Sequence, residues 1–233
     1  MNDTSTALIT GGSAGLGRAV ALALAKRGWQ VIVTGRHAAP LERVAAQANG
    51  ITTCQGDVTD AGHRERLRAE IASRGRLDLL LNNASALGPS PMPALARYPE
   101  AELAKVFATN VLAPLALISA LLDQVSHAGG AIVNVSSDAA VEAYEGWGGY
   151  GAAKAALDHA TAVLAVEHPR LSVYAFDPGD MRTAMHQAAF PGEDISDRPE
   201  PETVVPALMR LLDTRPASGR YRAADLLTPA ASS

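Results

Sequence analysis

The sequence predicts an α/β fold: one doubly wound parallel sheet of about seven strands with helices on both faces. Three observations carry this. Short β-branched or aliphatic runs alternate with longer helical patterns along the chain. The runs are apolar on both faces, as strands covered by helices on each side must be. The 233 residues fit one domain, 1–233, large enough to bury a substantial core. Right-handed crossovers then leave few topologies.

The predicted strands are Ala7–Thr10, Val31–Thr34, Ile51–Cys54, Leu77–Leu81, Ala131–Val135 and Leu171–Phe176. A last short strand follows the turn at Ser218-Gly219. Helical patterns occupy residues 15–28, 39–48, 60–74, 99–125, 150–168 and 202–213. No repeat of fixed period and no low-complexity tract interrupts them. The Pro- and acid-rich stretch 191–202 reads as a loop at the mouth of a site rather than a linker, because too little chain follows it to form a second domain.

Composition excludes several classes. A net charge of -4 and 4% aromatics suit neither a phosphodiester backbone nor base stacking, so no nucleic-acid partner is expected. One cysteine, Cys54, permits neither an internal disulfide nor a cysteine-built zinc site. It reads as a small apolar strand residue, and no metal is expected. No apolar run approaches the roughly 20 residues of a membrane span. The start Met1-Asn2-Asp3-Thr4-Ser5 has neither a basic region nor an apolar signal core, which predicts no membrane association and a cytoplasmic protein.

The first strand runs into Thr10-Gly11-Gly12-Ser13-Ala14-Gly15-Leu16-Gly17, where a helix opens. Glycines let the backbone approach a pyrophosphate, and the helix N-terminus offers unpaired N–H groups and partial positive charge. The alternative is a plain strand-to-helix turn. The second strand ends Thr34-Gly35-Arg36-His37. An acid here would bond the ribose 2′-hydroxyl of NAD; Arg36 instead offers a charged fork suited to the 2′-phosphate of NADP, with Ser13 placed to assist. Asp57 either accepts from the adenine amino group or caps the next helix, for which Asp60 is the better candidate. Asn82-Asn83-Ala84 ends the fourth strand and serves either the cofactor or a turn.

Tyr150 and Lys154 sit four apart on a helical pattern, so phenol and ammonium share a face. A cation about 4 Å away at an effective dielectric of about 20 is worth about 4 kcal/mol, enough to pull a phenol toward a working acid–base range. Ser137 closes the fifth strand thirteen residues before Tyr150, where its hydroxyl either polarises a carbonyl or caps a turn.

Taken in order, the loop at 10–17, Asp57, Asn82-Asn83-Ala84, Asn110, Ser137, Tyr150, Lys154 and Pro178-Gly179-x-x-x-Thr183 closely resemble the short-chain dehydrogenase/reductases, in their shorter, non-extended branch. The match covers roughly residues 6–222. The resemblance implies a Rossmann-type fold and an NADPH-dependent ketone or aldehyde reductase, or alcohol dehydrogenase in reverse. Tyr150 would exchange a proton with the substrate oxygen, Ser137 would hold that oxygen, and Lys154 would lower the phenol and bind the nicotinamide ribose. Asn110 would hold a water linking Lys154 to solvent. Leu16, Val58 and Ala84 would line the cofactor, and Pro178, Gly179, Met181 and Thr183 would position the nicotinamide carboxamide. The family also implies a homodimer or homotetramer through the helices at 99–125 and 150–168.

The chain departs from the family at three points. Ser85 stands where a glycine is common, Asp138 follows Ser137, and Ala14 stands where many NADP-preferring relatives are basic. Ser85, Ala86, Leu87, Asp138, Tyr144, Trp147, Met181, Met185 and His186 are candidates for the pocket; Tyr144 and Trp147 either stack on a ring-bearing substrate or pack their own Gly-rich loop. Two other functions compete. An epimerase or dehydratase would need a substrate domain for which 233 residues leave little room, and a non-catalytic NADP-binding protein would not need the full set Asn110, Ser137, Tyr150 and Lys154.

Overall fold

The computed structural model describes residues 4–228. Met1, Asn2 and Asp3, on which the reading of the N-terminus partly rests, lie outside the described residues. One sheet holds seven strands in the order β3-β2-β1-β4-β5-β6-β7, and every pairing is parallel. The strands are β1 (Thr6–Thr10), β2 (Gln30–Gly35), β3 (Ile51–Gln55), β4 (Leu79–Asn82), β5 (Ala131–Val135), β6 (Ser172–Asp177) and β7 (Gly219–Arg222).

The strands are apolar throughout because helices cover both faces. Side chains alternate across a strand. Ile9, Val31, Val33, Leu79, Leu81 and Val133 thus meet α1 (Gly15–Lys26) and α8 (Val205–Thr214) on one side. Leu8, Ile32, Leu80, Ile132 and Val173 meet α3 (Ala61–Arg74) and α5 (Ala113–Ala128) on the other. Cys54 is half-buried beside this second core. Asp60 caps α3, accepting from the Gly62 and His63 N–H groups.

The pattern at 99–125 breaks into α4 (Glu100–Phe107), a π-turn (Ala108–Leu112) and α5. Pro114 has no N–H to offer the Asn110 carbonyl four residues back, which explains the wide turn at this point. The expectation that no apolar run approaches a membrane span needs correction here. The helical stretch Glu100–Ala128 is long and apolar enough to span a bilayer by length and composition. One face of it packs on the sheet, with Leu117, Leu121 and Val125 at most 1% exposed in the second core.

Helix α6 (Gly148–Glu167) starts two residues earlier than its periodicity predicts. Its Gly149 fits where a Cβ would lie 2.3 Å from the Tyr98 ring, so its smallness reflects close packing. Three short helices complete the fold: α2 (Ala38–Ala45), α7 (Ala184–Ala189) and α9 (Ala223–Leu227). The last two carry too few turns to show a periodicity in the sequence.

Strand order reverses direction between β1 and β4, so their C-terminal ends open a crevice, the place where ligands bind in sheets of this kind.

Candidate active site

At that crevice lies a cleft of about 500 Å³. Its floor at one end is the bare backbone of the glycine loop. Gly11 has φ +65, and a Cβ on it would lie 2.9 Å from both Ala84 Cα and Asn83 Nδ2. A Cβ on Gly17 would lie 2.5 Å from Asn83 Nδ2 and from the Gly11 carbonyl oxygen. Side chains are thus excluded on steric grounds by the loop after β4, and Gly11 and Gly15 present their backbone to the cleft while Gly17 is buried behind them. No side chain caps α1, so its first N–H groups remain available to an anion. These features fit a pyrophosphate.

Asn83 shapes this floor. Its Nδ2 donates to the carbonyls of Thr10 at 3.0 Å and Gly11 at 3.1 Å, while the N–H groups of Asn83 and Ala84 both donate to Thr10 Oγ1 at 3.0 Å. Asn82 points elsewhere: its Nδ2 donates to Asn134 Oδ1 at 2.8 Å inside the sheet. Of the two adjacent amides, one therefore moulds the loop and the other ties β4 to β5.

Gly11, Gly15, Leu16, Asn83, Ala84, Pro178, Gly179, Met181 and Thr183 all line the cleft. Arg36, Asp57 and Val58 do not; they lie beyond it at the exits of β2 and β3. Arg36 is exposed, and its charge reaches Asp57, whose carboxyl is held below the usual range chiefly by the Thr59 N–H. Asp57 Oδ1 accepts from the Thr59 N–H at 2.9 Å and its hydroxyl at 2.8 Å, a local turn beside the Asp60 cap. Ser13 belongs to the same corner, since a Cβ on Gly35 would sit 3.3 Å from its Oγ.

The other end of the cleft holds Tyr150, Lys154, Ser137 and Ser85. The Lys154 ammonium lies 5.5 Å from the centroid of the Tyr150 ring and donates to the Val135 carbonyl at 2.7 Å. It sits over the face of the ring, and burial dominates both groups. The phenol is pushed up to about 12, against hydrogen bonds from Ser85 and Ser137 that lower it. The ammonium is pushed down to about 8, against the attraction of Asp158. In the protein alone burial outweighs the hydrogen bonds that lower the phenol, so its shift runs opposite to the direction expected from the lysine.

Asn110 is 1% exposed and does not face the cleft. The π-turn aims its amide at the loop after β4: Oδ1 accepts from the Ala86 N–H at 2.7 Å and the Ser85 hydroxyl at 3.2 Å, and Nδ2 donates to the Ala86 carbonyl at 2.9 Å. Ser137 Oγ donates to Asp138 Oδ1 at 2.9 Å and accepts from the Ala139 N–H. Ser136 turns away and donates to Asp158 Oδ2 at 2.7 Å.

Leu87, Asp138, Trp147, Met185 and His186 also border the cleft, whereas Tyr144 stands outside it. The Tyr144 hydroxyl lies between Asp138 Oδ2 at 3.1 Å and Glu142 Oε2 at 2.7 Å, with its ring edge-on to Trp147. Trp147 in turn packs against Tyr150 and Phe190 at centroid distances of 5.8 Å. The stretch 191–202 reaches the mouth through Glu200, Pro201 and Glu202. There Glu202 accepts from Arg18 at 3.0 Å.

Sequence reasoning missed a charged cluster behind Ser137, made by Asp158, Asp177 and Arg220. Only Asp158, four residues after Lys154, leaves a visible spacing. The others meet through the fold: Arg220 Nη2 donates to the Ser137 carbonyl at 2.9 Å and to Asp177 Oδ2 at 2.8 Å, and Nε to Asp158 Oδ2 at 3.1 Å.

A parallel sheet with a glycine-floored cleft at its switch point defines a dinucleotide-fold protein. Comparison with known proteins narrows this. Residues 5–194 match the short chain dehydrogenase family. The oxidoreductase YciK of Escherichia coli K12 is 34% identical over 224 residues, 91% of this chain and 88% of that protein. Sepiapterin reductase of Meriones unguiculatus is 34% identical over 78% of this chain and 76% of its own length. Among solved structures, a short chain dehydrogenase from Escherichia coli CFT073 in complex with NADPH has a TM-score of 0.89 at 31% identity, covering 96% of this chain and 97% of that one. A Shigella flexneri relative in complex with NADP has a TM-score of 0.89 at 30% identity, over 96% and 98%. The chain belongs to the short-chain dehydrogenase family and is an oxidoreductase of that type.

Proposed function

We propose that this protein is an NADP(H)-dependent carbonyl reductase, acting in reverse as an alcohol dehydrogenase on a secondary alcohol. The observation that carries this reading is the buried Tyr150 at the cleft base, flanked by the hydroxyls of Ser85 and Ser137 with the Lys154 ammonium over the face of its ring. NADP is favoured over NAD because Arg36 rather than an acid follows β2, and because two solved relatives carry NADPH or NADP.

Gly11, Gly15, Leu16, Gly17 and the start of α1 would hold the pyrophosphate, and Ser13 and Arg36 the 2′-phosphate. Asp57 and Val58 would border the adenine, and Asn83 and Ala84 the adjoining ribose. Pro178, Gly179, Met181 and Thr183 would position the carboxamide. The nicotinamide supplies the hydride when bound. Tyr150 gives its phenol proton to the carbonyl oxygen as that oxygen gains charge, and takes it back in reverse. Ser137 shifts its hydroxyl from Asp138 to the same oxygen. Lys154 would hold the nicotinamide ribose, and its charge would stabilise the phenolate left behind. Asn110 holds the Ser85–Ala86 segment beside the phenol and, as the family resemblance implies, a water relaying protons from Lys154. Ser85, Asp138, Trp147, Met185 and His186 contact a small carbonyl substrate, with Tyr144 orienting Asp138.

The test is a fluorescence titration with NADPH and, separately, NADH. NADPH binds tightly and NADH weakly, and Arg36→Asp weakens NADPH far more than NADH. An equal effect on both would overturn the 2′-phosphate reading, and binding of neither would overturn the reductase.

A further inference from the structure

We propose that His63, a buried residue of α3 outside the cleft, is a positioning residue for the adenosine end of the cofactor. With Thr34 it holds the exits of β2 and β3 at the spacing that lets Arg36 and Asp57 act on one nucleotide. This rests on the cofactor roles given above to Arg36 and Asp57.

His63 and Thr34 are both 0% exposed. His63 Nε2 lies 2.6 Å from Thr34 Oγ1, and Nδ1 lies 3.3 Å from Arg66 Nη2. A guanidinium only donates, so Nδ1 accepts. The ring proton is then on Nε2 and is donated to the Thr34 hydroxyl oxygen. Burial first, and the Arg66 charge after it, push the imidazole below the usual histidine range, against the pull of Asp60 and Asp57. The ring is therefore neutral, in one tautomer, with its N–H directed at β2.

The same ring sets the place of the chain leaving β3. Gly56 has no room for a side chain: a Cβ there would lie 2.2 Å from His63 Nδ1 and 2.4 Å from its Cγ. The imidazole thus packs directly against the residue before Asp57. Backbone bonds close the corner. The Gly56 N–H donates to the Gly35 carbonyl at 3.0 Å, and the Thr34 carbonyl accepts from the Gly12 N–H at 3.1 Å. Gln55 Nε2 donates to the Arg36 carbonyl at 3.1 Å. Ser13, Arg36 and Asp57 each stand next in the chain to a residue that this corner fixes, Gly12, Gly35 and Gly56. An apolar side chain at 63 would fill the space with no polar group to satisfy. The imidazole adds a directed bond from α3 to β2 while it supports Gly56, and so fixes where the two strand exits stand.

The experiment uses probes that occupy different ends of the cofactor site. Adenosine 2′,5′-bisphosphate carries the adenosine end alone, and nicotinamide mononucleotide the other end. Calorimetry on the full chain measures the dissociation constants of both, and of NADPH, for wild type, Thr34→Val and Thr34→Ser, with a thermal melt of each. Thr34→Val keeps the side chain's shape and removes the acceptor; Thr34→Ser keeps the acceptor. In Thr34→Val the bisphosphate and NADPH bind about tenfold more weakly, the order of one buried hydrogen bond. The mononucleotide is unaffected, and Thr34→Ser binds all three as the wild type does.

Unchanged affinity of Thr34→Val for the bisphosphate overturns the proposal. Equal weakening of the mononucleotide also overturns it, because a purely structural role would loosen both ends of the site. So does a Thr34→Ser that binds no better than Thr34→Val. If Thr34→Val does not fold, nitrogen NMR of the wild-type His63 ring decides: a proton on Nε2 alone supports the proposal, and one on Nδ1, or on both, overturns it. A wild type that binds neither NADPH nor the bisphosphate overturns the cofactor reading itself. A wild type that binds both, with no effect of Thr34→Val, overturns only the role of His63.

Discussion

Tyr150 and Lys154 are both biased toward their neutral forms by burial, the phenol to about 12 and the ammonium to about 8. A phenol that keeps its proton throughout the neutral range is an acid waiting for a developing alkoxide, which suits the reductive direction. Tyr150→Phe should preserve the fold and NADPH affinity while lowering turnover by about 10²–10⁴-fold, the usual range for losing a general acid. Steady-state rates over a panel of cyclic and linear ketones check this; turnover within a fewfold of wild type would remove Tyr150 from the chemistry. The sequence offered Tyr150, Lys154 and Ser137 as candidates through their spacing together with the family resemblance of the whole motif set. It did not disclose that the ammonium lies over the face of the ring, because that depends on where the Val135 carbonyl, at the end of a different element, draws it.

At the scale of elements, the π-turn in the long helix is the informative feature. Its neighbours α4 and α5 form a periodic apolar helix that the sequence shows well. The wide turn follows from one proline and places Asn110 against the loop after β4 rather than in the cleft. Asn110→Leu would leave the Ala86 N–H and carbonyl unpaired in a partly buried setting, at a cost of about 1 kcal/mol. Chemical denaturation measures that loss. An unchanged unfolding midpoint would show that the Ser85–Ala86 segment is held by other contacts. The same logic explains the segments missed in the sequence. Helix α7 has six residues and α9 has five, so each forms because neighbouring structure supports it, not because its own pattern demands it.

For the whole molecule, the outward faces of α5 and α6 carry apolar side chains that the single chain leaves in water. Leu112 is 61% exposed and Val166 81%, with Leu115 and Val163 beside them in the same helices or at their start. We infer that these faces pair between copies of the chain in a homodimer or homotetramer. Light scattering on a sizing column should give two or four times the chain mass, and Leu112→Glu with Val166→Lys should shift it to one. A wild-type monomer at micromolar concentration would refute this arrangement.

Sequence alone determined the parallel α/β class, the glycine-floored turn and the order of the chemical residues. Those properties are local: apolar runs of strand length, a glycine-rich turn opening a helix, and hydroxyl, phenol and ammonium at short fixed spacings. Tertiary structure decided the rest. It drew Arg220 from the last strand onto Asp158, Asp177 and the Ser137 carbonyl, set Arg36 and Asp57 outside the main cleft, and turned Asn110 toward Ala86. Such contacts join residues far apart in the chain. No periodicity or spacing encodes them; they follow from strand order, which brings the exits of β5, β6 and β7 side by side.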